Sequence, residues 1–358
     1  MKIPSKMEEV TPAWLTQVLA QEEHIINSKV VRIKTRPLGA GIGFLSTITH
    51  VLLEYDHPEP TGPTSLVVKL QLSSGALREL SEDVHAFERE IRFYRDVPPL
   101  APIRLPRCYF AAIGSPSSVL VMEDLTFATP CDQVKGLHAA EVIQIARLIG
   151  RLQGKFWNND TLASLTWMPT TNRQFWVNFD SLWDRFLQDF DGSIESSALQ
   201  VGERLRGQSE WLENETDRRP RTLVHSDLKA DNILLGPSGT PESILILDWQ
   251  LAIRSMGAFD VARLMGGSEL PNERHNHQLD VLRAWYEEVR QSDVDYGWEE
   301  AIYDLRLGGL QMVCWAVQFY ACVGDLEGRP RELVTRVCER AFDSAMEMDA
   351  VSILPQQR

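Results

Sequence analysis

The chain of 358 residues carries 44% hydrophobic and 24% charged side chains, the mixture of an ordered globular protein long enough for two substantial lobes. Its 36 basic and 50 acidic residues leave a net charge of −14, which argues against nucleic acid or an anionic membrane as the main partner. No apolar run approaches the roughly 18–20 residues of a membrane span, and the opening MKIPSKMEEV has no apolar signal core, so a cytoplasmic protein is expected.

In chain order, residues 12–27 predict a helix with Thr11 as N-cap and Pro12 at its first position. From Val30 to Leu72 β-branched residues and alternation take over. VVRIKTRPL, STITHVLLEY and SLVVKLQL predict three strands, separated by the glycine-rich GAGIG and by HPEPTGPT. Residues 81–96 predict a helix capped by Ser81, with Val84, Phe87, Ile91, Phe93 and Tyr94 near one face. RCYFAAI and SVLVMEDL supply a fourth and a fifth strand. After Asp124 the texture is helical, over 139–157, 174–190, 196–215, 279–291, 299–322 and 330–348. One strand–loop–strand island interrupts it, made by LVHSDLKADNILL (223–235) and ILILDWQ (244–250). The expected layout is therefore α+β: a small β-rich N-terminal lobe, residues 1–122, and a larger mainly helical lobe, 123–358.

The island holds the chemistry. In His225-Ser226-Asp227-x4-Asn232 a carboxylate and an amide lie on a loop braced by strands, so they can serve one centre. The Asp can accept a proton from a hydroxyl, while the Asn oxygen coordinates a hard cation such as Mg²⁺. Asp248 ends the apolar run Ile244-Leu245-Ile246-Leu247 and is placed to be a second Mg²⁺ ligand. Taken singly, each of these residues is equally suited to capping a turn. His275 and His277 have no third ligand nearby, and the five cysteines form no CxxC pair, so a zinc site is not expected and the thiols read as free.

HSDLKADN followed by LDWQ resembles the catalytic loop and metal-binding motif of the protein-kinase-like superfamily. The likeness is to its aminoglycoside phosphotransferase and choline kinase branch, and within that to ecdysteroid-kinase-like proteins. The resemblance runs along nearly the whole chain and implies a two-lobed protein-kinase-like fold. It implies Asp227 as catalytic base, Asn232 and Asp248 as Mg²⁺ ligands, and His225 as a buttress of the loop. Lys229 matches a position where protein kinases contact the transferred phosphate. Asp231 is left as a bystander, facing solvent or capping the turn. Ser226 stands where this branch commonly has glycine, and Trp249-Gln250 where protein kinases have Phe-Gly.

The N-terminal lobe offers the remaining parts. Gly39, Gly41 and Gly43 lie in GAGIGF between two predicted strands, where backbone N–H groups can approach nucleotide phosphates, though hairpins use glycine for their turns as well. Lys69 breaks the apolar SLVVKLQL: it is either a strand-edge lysine facing water or, as the resemblance implies, the lysine that grips the ATP phosphates. Glu88 and Glu90 are both available to hold it, and the family pattern F-x-x-E-x-x-F-Y over Phe87, Glu90, Phe93 and Tyr94 selects Glu90. The resemblance also makes the backbone around Met122, Glu123 and Asp124 the adenine-binding hinge, whereas the residues alone show a strand entering a loop.

In GAFDVARL, Asp260 begins a helix, where it is a natural cap, and is read as structural; the resembled family carries a similar G-x-x-D-x-A element, which implies support of the active site. Only 11 residues separate Asp260 from Asp248, and no A-P-E element follows, leaving little room for a peptide-docking segment. The expected reaction is ATP- and Mg²⁺-dependent transfer to a hydroxyl of a small molecule. The alternatives are a silent nucleotide-binding scaffold, a protein kinase and, more remotely, a metal-dependent hydrolase. For the acceptor, the helical segments with Trp176, Phe179, Trp183, Trp315, Phe319 and Tyr320 offer either a pocket or core. The acids Asp293, Asp295, Glu299 and Glu300 offer either a cation-attracting patch or a solvated face. Acceptor identity and oligomeric state are not legible.

Overall fold

The computed structural model describes residues 2–38, 46–71, 82–114, 117–173, 176–237, 240, 243–274, 277–323 and 327–356. The chain divides into two compact units. The first comprises Met1–Leu100, Leu105–Thr129 and the short stretch Leu247–Leu251; the second comprises Ala101–Arg104, Pro130–Ile246 and Ala252–Arg358.

In the first unit, helix α1 (Pro12–Gln21) opens as its sequence dictates, with Thr11 Oγ1 accepting the Trp14 N–H at 3.2 Å and Pro12 just inside the start. It stops short of the expected residue 27 because the chain turns at Glu23, whose φ is 58°. Strands β1 (Val30–Leu38), β2 (Ser46–Tyr55), β3 (Ser65–Gln71), β4 (Cys108–Ala112) and β5 (Val119–Glu123) form an antiparallel sheet in the order β1-β2-β3-β5-β4. Alternation along β3 sends Leu66, Val68 and Leu70 into a core with Trp14, Leu15, Val18 and Leu19 of α1. Lys69 therefore belongs to the opposite face. It sits on a central strand, opposite Ile48 of β2 and Leu120 of β5, which removes the strand-edge reading. Helix α2 (Ala86–Asp96) is regular only from Ala86, because His85 has φ 50°; Ser81 lies outside the described residues.

The second unit is built on helices α3 (Ala139–Lys155), α4 (Phe179–Asp189), α5 (Ser196–Leu205), α6 (Ser209–Asp217), α7 (Ala258–Ser268), α8 (Gln278–Arg290), α9 (Trp298–Val323) and α10 (Arg329–Glu347). The single helix expected over 196–215 is two, α5 and α6, parted at Gly207, where φ is 69°. Helix α3 lies against α8, and Gly150 sets their closeness: a Cβ there would come within 2.6 Å of the Trp285 carbonyl oxygen. Helices α7, α9 and α10 pack on one another. Trp176, Phe179, Trp183, Phe186, Tyr320 and Phe342 fill the core of this unit, with Trp183 and Phe342 stacked at 5.8 Å, so these aromatics serve packing.

Strand β6 (Thr222–Val224) pairs antiparallel with β9 (Ile253–Ser255), and β7 (Ile233–Leu235) with β8 (Ile244–Ile246), Ile233 facing Ile246. The island expected within the helices is thus present, and the loop 225–232 hangs between β6 and β7. All five cysteines are free. Among the described residues no helix is long and apolar enough to cross a membrane.

Candidate active site

Two clusters of charged side chains carry the sequence-predicted residues, one in each unit. In the first unit, Lys69 Nζ lies 2.7 Å from Glu90 Oε2 and 2.7 Å from Asp248 Oδ1, with its side chain only 10% exposed. Helical spacing decides between the two glutamates. Glu90 turns inward and is buried, while Glu88 turns out to pair with Arg92 at 2.8 Å. The stretch that carries Asp248 also secures the helix that carries Glu90. Trp249 is fully buried and stacks on Phe93 of α2, with ring centroids 4.2 Å apart and planes within 8°. Gln250 Nε2 donates to Asp248 Oδ2 at 3.1 Å and orients that carboxylate. Burial works against the charge on Lys69, but Asp248 and Glu90 more than offset it and hold the ammonium above its ordinary range. Burial pushes the Glu90 carboxyl up to about 7, with Lys69 opposing and Asp248 reinforcing the rise.

The hinge residues have structural bonds of their own. Met122 is paired across the sheet with Val67 and Cys108. Glu123 N–H donates to the Arg107 carbonyl at 2.8 Å, and Glu123 Oε2 accepts the Arg107 N–H at 3.1 Å. Asp124 Oδ2 accepts Ser65 Oγ–H at 2.5 Å and lies 2.8 Å from His50 Nε2, while Oδ1 accepts Thr126 N–H at 2.9 Å. Despite partial burial, these bonds hold its carboxyl far below the usual carboxylate range. Gly39, Gly41 and Gly43 lie outside the described residues.

In the second unit the loop 225–232 is buried and folded around Asp227. Arg263 Nη2 donates to Asp227 Oδ1 at 2.8 Å, Lys229 Nζ to Oδ2 at 2.7 Å, and Asn232 Nδ2 to the Asp227 carbonyl at 2.9 Å. Burial penalises this carboxylate, yet Lys229 and Arg263 keep its pKa below the ordinary value, so it is ionised at neutral pH. Asp227 N–H donates to His225 Nδ1 at 3.2 Å, which leaves that nitrogen unprotonated and places any ring proton of a neutral His225 on Nε2. Asp260 is not a cap for its own helix, as its position suggested. Its two carboxylate oxygens accept the backbone N–H groups of His225 and Ser226, both at 2.8 Å, and Gln153 Nε2 adds a third bond at 2.9 Å. Ser226 occupies the left-handed region, φ 69°, and Asn172 Nδ2 donates to its hydroxyl at 2.6 Å. A position that favours glycine is thus filled by a serine whose hydroxyl is held by a partner 54 residues away in the chain. Asp231 is not a bystander in solvent: it accepts Gln133 N–H at 2.7 Å and pairs with Arg329 at 3.5 Å.

The residues that reading the sequence missed are Arg263, Gln153, Asn172 and the partners Trp249 and Gln250. Only the i,i+3 spacing of Asp260 and Arg263 in one helix offered a signal, since such residues share a face. The acids Asp293, Asp295, Glu299 and Glu300 are exposed and form a solvated face. Trp315 is neither pocket nor plain core, because it lies under the Arg263 guanidinium, 3.7 Å from its ring centre.

Comparison with known proteins places this chain in a family. The model of the ecdysteroid kinase-like family matches residues 40–294, and the chain belongs to that family, a kinase-like group of small-molecule phosphotransferases. No curated protein matches the sequence. Among solved structures, a Ralstonia eutropha protein assigned to the aminoglycoside phosphotransferases is similar over 96% of this chain and 99% of its own, with TM-score 0.58 and 14% identity. The GDP complex of wild-type aminoglycoside 2'-phosphotransferase-IIIa covers 93% of this chain and 97% of its own, with TM-score 0.51 and 12% identity. Identities this low establish the shared protein-kinase-like α+β fold and nothing finer.

Proposed function

We propose that this protein transfers the γ-phosphoryl group of ATP to a hydroxyl of a small molecule. The observation that carries the reading is Asp227: buried, ionised, and held by three partners on a loop anchored through Asp260. In the reaction the acceptor O–H bond breaks and its proton passes to Asp227. The acceptor oxygen bonds to the γ-phosphorus, and the bond from that phosphorus to the bridging oxygen breaks, releasing ADP. Lys69, buttressed by Glu90, orients the phosphates, and Lys229 offsets charge on the transferred group. The backbone near Met122, Glu123 and Asp124 receives the adenine edge.

The donor set fits Mg²⁺. Among the described residues no three His, Cys, Asp or Glu converge on one point, as suits a cation that takes one or two protein oxygens and fills the rest with phosphate and water. Asn232 spends its amide nitrogen on Asp227, which reserves its oxygen for a cation, and Asp248 accepts a cation, the Lys69 ammonium. In the chain, Asn232 directly precedes Ile233 of β7 and Asp248 follows Ile246 of β8 by two residues, a sequence spacing that supports their serving one cation. Held by these two side-chain oxygens, Mg²⁺ would neutralise phosphate charge. A small acceptor is favoured over a protein because β9 and α7 follow Asp248 almost at once, without an extended segment on which a peptide would dock.

The test is ADP release from ATP, with GTP compared, across an aminoglycoside, a choline-like amine and a sterol alcohol, each with EDTA and with Mg²⁺ restored. Turnover with one acceptor, abolished by EDTA and recovered with Mg²⁺, is the expected result. Nucleotide binding with no turnover on any acceptor would leave the silent scaffold instead.

A further inference from the structure

Arg263 is completely buried on α7, 36 residues from the carboxylate it serves. Its Nη2 donates to Asp227 Oδ1 at 2.8 Å, the Trp315 ring covers its face at 3.7 Å, and Nη1 lies 3.8 Å from Met312 Sδ. Its Nε has no acceptor among the described residues. Room for the guanidinium depends on Gly267, where a Cβ would collide with Nη1. This is a costly way to fill space. Burying an arginine carries a substantial desolvation penalty, and apolar residues of similar volume often replace such pairs without loss of stability. One ion pair and one aromatic face leave part of its five-donor fork unused.

What the arrangement accomplishes is an asymmetry at Asp227. Oδ1 is tied to a partner with no exposure and a fixed ring behind it, whereas Oδ2 meets Lys229, a flexible side chain that is 23% exposed, and takes only a longer contact of 3.3 Å from Asn232 Nδ2. We propose that Arg263 is a positioning residue that locks Oδ1 of Asp227 and leaves Oδ2 as the oxygen presented to the acceptor hydroxyl. This rests on the reading of Asp227 as the base. A carboxylate free to rotate about its last bond would spend part of its time misaimed, and a misplacement of about 1 Å lowers such rates by roughly 10²-fold.

The experiment uses the full chain with MgATP and measures ADP release, with water and with each acceptor of the screen above. The variants are Arg263→Lys, Arg263→Met, Asp227→Asn and the double variant Arg263→Lys/Asp227→Asn. Arg263→Lys keeps a charge beside Asp227 and is expected to fold even where Arg263→Met does not, so it carries the test, with thermal melting as the check on folding. We expect kcat of folded Arg263→Lys to fall about 10- to 100-fold while KM for ATP stays within about threefold. The double variant should be no slower than Asp227→Asn alone, because a group that acts only through Asp227 has nothing left to position. Unchanged kcat in folded Arg263→Lys, or losses that multiply in the double variant, would overturn the inference. If Asp227→Asn itself turns over normally, the base assignment fails and this inference with it. If Asp227→Asn is slow and Arg263→Lys is not, only this inference fails.

Discussion

The two clusters are opposites in charge. Around Lys69 one cation is shared by two carboxylates, Glu90 and Asp248; around Asp227 one carboxylate is shared by two cations, Arg263 and Lys229. In each, the minority group is the one on which the others depend. Removing it leaves like charges facing each other in a buried place, whereas removing a majority member leaves an intact pair. The clusters also differ in how they are held. The Lys69 cluster is assembled from a strand, a helix and a short stretch joined by the Phe93–Trp249 stack. The Asp227 cluster is held through the backbone, by Asp260 gripping two consecutive N–H groups of the loop.

The largest effect is expected at the minority carboxylate. Asp227→Asn should lower kcat by about 10³-fold or more, within the range for loss of a general base, with nucleotide affinity nearly intact by titration calorimetry. Normal turnover would dissolve the distinction between the clusters. Next, Lys69→Met should lower kcat/KM for the nucleotide by about 10²-fold, and Glu90→Gln, which keeps a hydrogen bond, by about 10-fold. Equal losses would mean that Glu90 does more than hold the lysine.

Asp260→Asn tests the backbone grip. An amide has one acceptor oxygen where two N–H groups need one each, so we expect a loss of about 2–4 kcal/mol in chemical denaturation. The same variant has a pH signature. Burial pushes the Asp260 carboxyl up to about 7, whereas the unfolded chain releases that proton near pH ~4. Between those values the folded state holds a proton that the unfolded state has lost. The contribution is full below about pH 4 and disappears as the pH rises to about 7. Asp260→Asn should flatten that part of a plot of Tm against pH. The smallest effect is expected at Ser226. Ser226→Gly relieves a left-handed serine but discards the bond from Asn172, so stability should move by less than about 1 kcal/mol in thermal melts. A larger loss would show that the Asn172 bond is part of the grip.

Much of this was legible from residues that are neighbours in the chain. The alternation of SLVVKLQL placed Lys69 on its strand, and the bounds of β1 and β2 coincide with the runs VVRIKTRPL and STITHVLLEY, because pleated alternation is written locally. Where a left-handed residue ends or delays a helix, as at Glu23 and His85, the pattern of apolar residues ran past the boundary. Asp260 was placed correctly on its helix and misread in its bonding, since a cap to its own helix and a clamp on a distant loop have the same local sequence.

By itself, then, the sequence determined the strands, the helices and the grouping of Asp227, Lys229 and Asn232, whose chemistry depends on spacing along a single loop. Only the tertiary structure decided that Lys69 is central and shared with Asp248 as well as with Glu90, which the family pattern had already selected. It also decided that Asp231 is engaged, and that Arg263, Gln153 and Asn172 surround the loop. Such partners are distant in the chain, 36 residues for Arg263–Asp227 and 179 for Lys69–Asp248. The physical reason is burial. A buried charge must be matched by whatever group the packing of distant elements brings to it.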